Sequence, residues 1–259
     1  MTRLIFVLLG VLLLGAESLA ENAEEKGYQI AQKAASQDDG YADYTANGKM
    51  ILRNRAGQES VREFDFKQLE HSDGDMSLLV FNWPGDIRDT ALLTHVRAAG
   101  NDLQWLYLPA VRRVKRITSS GQSGSFVGSE FTYEDMRDQE VDNFTYLWLD
   151  DEVCFENNLC HVIERLPKYS SSYSKQKVWL DVEALRVHKI EYFNRQMEKA
   201  KTLTIESYEK YNNRFWRASS MSMINHVTGK STELKWTNYQ FSNGLSAADF
   251  STRALKRAR

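Results

Sequence analysis

From Tyr44 to Phe241 the chain reads as a succession of short runs mixing apolar and polar residues, punctuated about every ten residues by turn chemistry. Tyr44 to Arg53 and Gln58 to Leu69 flank Asn54-Arg55-Ala56-Gly57. Met76 to Trp83 stops at Pro84-Gly85, and Thr90 to Arg97 turns through Ala99-Gly100-Asn101-Asp102 into Leu103 to Leu108. The chain then continues through Pro109 into Val111 to Ile117. The second half repeats the theme in Phe144 to Val153, Leu159 to Leu166, Val178 to Val182, Arg186 to Phe193, Lys201 to Tyr211, Phe215 to Asn225 and Ser231 to Phe241. Only three prolines interrupt the whole chain, which suits long strands. The pattern predicts a mainly β fold of about eleven antiparallel strands, closed or nearly closed because open sheet edges invite unwanted pairing.

Two segments precede the strands. Ala23 to Ser36 is rich in Ala, Glu, Lys and Gln, with an apolar face of Tyr28, Ile30, Ala31, Ala34 and Ala35. It predicts a helix ended by Gln37-Asp38-Asp39-Gly40. Before it, Arg3, the apolar run Leu4 to Leu14 and the small residues around Ser18-Leu19-Ala20 predict a signal peptide over residues 1–20, cleaved before Glu21. No cysteine follows the apolar run, so no lipid anchor is expected. Residues 21–259 suit a single domain, exported to an oxidising compartment. The formal net charge of −2 argues against nucleic acid as the main partner.

The two cysteines, Cys154 and Cys160, enclose the turn residues Glu156-Asn157-Asn158. A disulfide closing the end of a hairpin is expected, worth roughly 2 kcal/mol for so short a loop. Metal is the competing reading, with His161 adjacent, but two thiols and one neighbouring histidine match no common zinc pattern.

The stretch from Trp83 to Met136 carries the functional argument. It reads WPGDIRDTALL, then NDLQWLYLPAVRRVKRI, then GSFVGSEFTYEDM. Aromatic and aliphatic residues stand beside a cationic cluster, Arg112, Arg113, Lys115 and Arg116, with no nucleophile and base in company. Gly121, Gly124 and Gly128 lack the Gly-Lys-Ser/Thr of a phosphate loop, and Ser129 is in no Gly-x-Ser-x-Gly elbow. The five histidines show no paired metal spacing. No catalytic residue, metal or cofactor is expected. An amphiphile is the natural ligand for greasy and cationic surfaces side by side.

Candidate cavity residues are Phe81, Trp83, Leu92, Trp105, Tyr107, Trp148, Trp179, Tyr192, Met223 and Trp236; each alone could equally be ordinary core. Trp105 and Tyr107 share strand parity and form the leading pair, although Leu106 and Leu108 make the opposite face equally apolar. The basic cluster could meet a phosphate headgroup, an anionic membrane surface or an acidic partner; equally, Glu130, Glu134 and Asp135 could balance it. The Gly/Ser-rich loop from Ser119 to Gly128 reads as flexible, and Ser129 as the cap of a short helical turn from Glu130 to Arg137. Phe126, Phe131, Tyr133 and Met136 would make this stretch a mobile gate.

The run DIRDTALL…DLQWLYLPAVRRVKRI…GSFVGSEFTYEDM, followed by the cysteine pair, the Lys-Val-Trp-Leu-Asp strand, TGKSTELKW and LSAADFSTRAL, resembles the LolA-like outer-membrane lipoprotein-sorting family. The resemblance implies a strongly curved, half-open antiparallel β-barrel with an N-terminal helix and short lid helices over an apolar cavity. It implies a monomeric, non-enzymatic periplasmic carrier or chaperone for a lipid or an acylated lipoprotein, with peripheral membrane contact only. The alternative is an accessory or sensor module on the same fold, partnering an inner-membrane lipid transporter.

Overall fold

The computed structural model describes residues 22–97, 102–137 and 139–257. The expected signal peptide and most of the turn at 99–102 lie outside these residues. The expected helix is present as α1 (22–36), and Gly40 ends the following turn with φ at 87°, a conformation that residues with a Cβ avoid.

Thirteen strands follow: β1 (Asp43–Arg53), β2 (Glu59–Leu69), β3 (Met76–Trp83), β4 (Ala91–His95), β5 (Leu103–Leu108), β6 (Arg113–Ile117), β7 (Phe144–Val153), β8 (Leu159–Pro167), β9 (Lys175–Asp181), β10 (Val187–Phe193), β11 (Lys199–Tyr211), β12 (Phe215–Asn225) and β13 (Ser231–Phe241). The count exceeds the expected eleven. The thirteen runs read from the sequence correspond one to one with these strands, so the shortfall lies in the count and not in the runs; the chain does not, however, continue straight from Leu108 to Val111. Pro109–Val111 makes a 3-10 turn and Arg112 is left-handed, so the chain reverses and β6 pairs back on β5.

The sheet order is β6-β5-β4-β3-β2-β1-β13-β12-β11-β10-β9-β8-β7, antiparallel throughout. Two meanders therefore meet where β1 pairs with β13, and β6 and β7 are the outer edges. The chain passes from one edge to the other through residues 118–143, the crossing segment.

The sheet is strongly curved but not closed. Gln104 on β5 donates to the carbonyl of Tyr133, while the next residue, Glu134, accepts from Ser172 between β8 and β9. In a flat sheet those two sites would lie roughly 45 Å apart at ~4.8 Å per strand. Adjacent residues of one chain reach both only because the sheet curls into a half-barrel.

The curl defines two faces. The inner face carries one continuous buried cluster that includes Met50, Phe64, Leu79, Phe81, Leu92, Phe144, Ile163, Val178, Ile190, Leu203, Met223 and Leu234, together with Ile30 and Ala31 of α1. On the outer face of β3–β6 a second cluster joins Leu78, Val80, Ala91, Leu93, Trp105 and Tyr107 to Phe250 and Leu255. Those last two come from the C-terminal segment and its short helix α2 (Thr252–Leu255). That cover is fixed by the Ser246–Asp249 capping box and by His95 Nε2, 2.6 Å from the Phe250 carbonyl oxygen.

Candidate functional site

The crossing segment runs diagonally over the inner face, from the end of β6 to the start of β7. It is not helical: only 3-10 turns at Ser119–Gly121, Phe126–Gly128 and Val141–Asn143 interrupt it. Lid helices over the cavity, and the helical turn expected from Glu130 to Arg137, are absent among the described residues. In their place a tight loop forms between the bridged residues Ser125 and Thr132. Phe126 N donates to Phe131 O at 2.8 Å, and Val127 and Gly128 both take positive φ to complete the turn. Ser129 caps no helix; its buried hydroxyl donates to Phe126 O at 2.8 Å.

This loop drives Phe126 into the core at 0% exposure, stacked on Phe81 with ring centroids 5.7 Å apart and edge-on to Tyr133 at 5.6 Å. Phe131 is buried in the same inner cluster, and Tyr133 and Met136 pack against it. All four residues expected to form a gate thus point into the half-barrel. The segment is a strap whose apolar side chains fill part of the half-barrel's interior.

Polar bonds pin the strap to three parts of the sheet. On the β4–β5 side, Gln104 Nε2 donates to Tyr133 O at 2.9 Å, Gln122 Nε2 donates to Gln104 Oε1 at 3.3 Å, and buried Arg137 pairs with Asp102. In the centre, Glu130 N donates to Thr232 Oγ1 at 3.0 Å, Asn225 Nδ2 donates to Glu130 Oε2 at 2.6 Å, and Lys201 Nζ donates to Glu130 O at 2.7 Å. Towards β8–β9 the Glu134 carboxylate accepts from Tyr169 Oη at 3.1 Å, Ser172 N at 3.0 Å and Ser172 Oγ at 2.7 Å, and from the Ser171 hydroxyl. Asp135 accepts from Thr132 N at 2.7 Å and from Tyr173 Oη at 3.0 Å. Burial pushes the Asp135 carboxyl above its ordinary range, opposed by the Lys201 ammonium and the Thr132 hydrogen bonds.

Between strap and sheet lies a cavity of about 250 Å³. Phe66, Phe131, Met136, Met221, Leu234 and Trp236 form its apolar walls, and Tyr44, Gln68, Ser77, Asp135, Arg137 and Tyr239 its polar margin. Pockets for drug-sized ligands run from roughly 300 to 1,000 Å³. With the strap in place the cavity is smaller than that range.

The candidate cavity residues divide between the faces. Phe81, Leu92, Tyr192 and Met223 lie in the inner cluster, with Trp148 and Trp236 packed against it; of the ten candidates, only Trp236 lines the cavity itself. Trp105 and Tyr107, the leading pair, lie on the outer face beneath the C-terminal segment. The register decides this: Leu93 pairs with Trp105 and Ala91 with Tyr107, whereas the inner residue Leu92 pairs with Leu106. Trp179 is also outward, against Cys160 and Val162, with Lys189 Nζ 3.5 Å from its ring centroid. Trp83 is exposed at the end of β3. Met221, Leu234 and Phe66 went unremarked as candidates. Strand parity with Met223 and Trp236 is the signal for Met221 and Leu234; no candidate on β2 pointed to Phe66.

Arg112, Arg113, Lys115 and Arg116 are all exposed, on edge strand β6 and the turn before it. Glu130, Glu134 and Asp135 do not balance them, since those carboxylates are engaged by the strap contacts just described. Among the described residues no carboxylate forms an ion pair with any of the four. Cys154 and Cys160 form the expected disulfide, with Cα atoms 5.8 Å apart.

Comparison with known proteins gives the following relatives. Residues 73–257 match a family described only as uncharacterized proteins. An outer membrane lipoprotein-sorting protein domain from Vibrio parahaemolyticus is 44% identical, with a TM-score of 0.88, over 90% of this chain and 100% of that one. A DUF1329 family protein from Desulfovibrio piger is 28% identical, with a TM-score of 0.85, over 90% of this chain and 99% of that one. A LolA superfamily protein from Nitrosomonas europaea shares the fold at 16% identity and a TM-score of 0.70, over 87% of this chain and 97% of that one. No curated protein matches.

Proposed function

The chain belongs to the LolA-like outer-membrane lipoprotein-sorting family, and from that premise we propose that it is a non-enzymatic periplasmic carrier that shelters acyl chains against the inner face of its half-barrel. The observation that carries this reading is the strap. An irregular segment, rather than a strand or helix, covers a continuous apolar surface and is held there by polar bonds to three separate parts of the sheet.

The energetics suit exchange. An acyl chain of sixteen carbons loses roughly 12 kcal/mol of exposure when buried, at about 0.8 kcal/mol per methylene. Phe126, Phe131, Tyr133 and Met136 gain roughly 1.5–3 kcal/mol each by burial, together roughly 6–12 kcal/mol as an upper bound. Cargo that displaces the strap therefore exchanges one apolar load for another of similar size. The apolar terms alone are near balance, and the strap's polar bonds tip it towards the closed, unloaded form, which favours release. The hydrogen bonds of the strap are replaced by bonds to water at a net cost of about 0.5–1.5 kcal/mol each. Among the described residues no helix is long and apolar enough to cross a membrane.

One observation favours a second reading. The four uncompensated cations on edge strand β6 would suit docking to an inner-membrane transporter, with the protein as its accessory module. Native mass spectrometry with lipid extraction, on protein purified from the cell envelope, separates the two. Carriage predicts a stoichiometric acylated species that is lost in Met221→Trp, which fills the cavity, and kept in Trp105→Phe on the outer face. A clean apo mass with no uptake of added acylated peptide would reject carriage and leave the accessory reading.

A further inference from the structure

The strand order places six hairpin connections along one end of the sheet: β1–β2, β3–β4, β5–β6, β8–β9, β10–β11 and β12–β13; the β8–β9 connection folds back against the strap, where Arg137 pairs with Asp102 and lies over the Tyr169 ring, and the other five form a rim. The register fixes this, because Arg53 pairs with Glu59 and Ser231, Leu108 with Arg113, Phe193 with Lys199, and Ile224 with Ser231. Four of these connections expose a large apolar side chain at or beside the tip: Trp83 at 53%, Val111 at 59%, Met197 at 55% and Val227 at 74% exposure. Side chains of this kind, so far out of the fold, add nothing to its core.

Cations accompany them. Arg55, Arg112, Arg195 and Lys230 are exposed on four of the five rim connections. Among the described residues none of them has an ion-pair partner. The tips are neighbours: a Cβ on Gly229 would lie 3.5 Å from Arg55 Cγ, so the β1–β2 and β12–β13 hairpins touch. Only the β3–β4 connection is net acidic, through Asp86 and Asp89 against Arg88. The opposite end has the reverse sign, carrying Asp38, Asp39, Glu70, Asp73 and Asp75 before β1 and between β2 and β3. That end also exposes Val153 and Leu159 on the disulfide hairpin, beside Glu152, and the less exposed Val182 next to them.

We propose that the rim of hairpin tips at the basic end is a docking surface for an anionic lipid bilayer, with Trp83, Val111, Met197 and Val227 entering the headgroup region and the cations meeting lipid phosphates. Tryptophan at a membrane interface and cations against anionic headgroups are the two contributions such docking uses. The opposed charge at the two ends orients the molecule, basic end first. The inference does not rest on carriage, since a protein with a permanently filled interior would dock in the same way.

The test is flotation of the purified protein with vesicles containing phosphatidylglycerol, compared with vesicles of phosphatidylcholine alone. Binding to the anionic vesicles is expected, weakening as salt screens the contact. Each of Arg55→Gln, Arg112→Gln, Arg195→Gln and Lys230→Gln lowers the partition about fivefold. Trp83→Glu combined with Val227→Glu abolishes it, Trp83→Phe retains it, and Val153→Glu at the far end leaves it unchanged. These positions are exposed, so an unchanged melting temperature shows that the variants fold. Uptake of an acylated probe in solution should be the same in every rim variant, which separates this surface from the cavity. Failure to float with phosphatidylglycerol vesicles, or flotation equal in rim and far-end variants, overturns the proposal.

Discussion

Two elements cover the inner face, and they hold to it by different means. α1 packs by shape: a Cβ on Gly27 would lie 2.7 Å from the Trp148 backbone nitrogen, so helix and β7 are in backbone contact. Its further contacts include Ile30 and Ala31 in the core, Tyr28 against the Tyr146 ring, and Lys26 over the Trp148 ring. The strap comes no less deep, with Phe126 fully buried, yet it has no regular structure and depends on polar bonds to β5, to β11–β13 and to the β8–β9 loop. A cover held by close backbone packing can move only by losing that packing. A cover held by side-chain hydrogen bonds can let go, because water replaces each bond at small net cost. The comparison assigns α1 to the permanent wall and the strap to the movable one.

The largest test of this division is a matched pair of truncations. Phe126→Ala and Ile30→Ala should each destabilise the protein by about 2–5 kcal/mol in chemical denaturation, since both empty buried core. Only Phe126→Ala should raise uptake of an acylated fluorescent probe; equal gains from both would erase the distinction. Next comes Gly27→Ala, expected to cost about 1–3 kcal/mol through overpacking against β7, with uptake unchanged at temperatures where the protein stays folded. Glu134→Gln removes the charge that gathers Tyr169, Ser171 and Ser172, at about 1.5–3 kcal/mol for charge-assisted bonds. Hydrogen exchange should quicken in the strap and not in α1.

The smallest effect is a pH dependence. Burial holds the Asp135 carboxyl above its ordinary value of 3.8 in the closed form. The closed strap therefore binds the proton more tightly than a released one. This contribution is complete below the ordinary value and is lost as pH rises through the raised one. Strap opening, followed by hydrogen exchange, should increase over that interval, and Asp135→Asn should flatten the rise.

Much of the fold was legible because it depends on local signals. Gly40 and Gly57 sit at positive φ where the turns were expected, and α1 spans nearly the residues its composition indicates. The twelve strand pairings were less legible: the sequence reads as continuing through Pro109 from one run to the next, whereas Arg112 reverses the chain there. Face assignment failed where both faces are covered. Trp105 and Leu106 are equally apolar, and only the distant C-terminal residues Phe250 and Leu255 show which side Trp105 serves. The strap was visible as a composition but not as a structure. Its Gly/Ser-rich start reads as flexible, whereas Gln104, Thr232 and Glu134, far apart in sequence, order it through contacts that no local pattern encodes.

The most direct measurement is hydrogen exchange followed by mass spectrometry, with and without a saturating acylated peptide. If the strap yields its place to cargo, amides in residues 118–137 exchange faster in the loaded protein, while those of α1 and the central strands keep their protection. Loading that leaves the strap fully protected, or that deprotects α1 instead, would contradict the account.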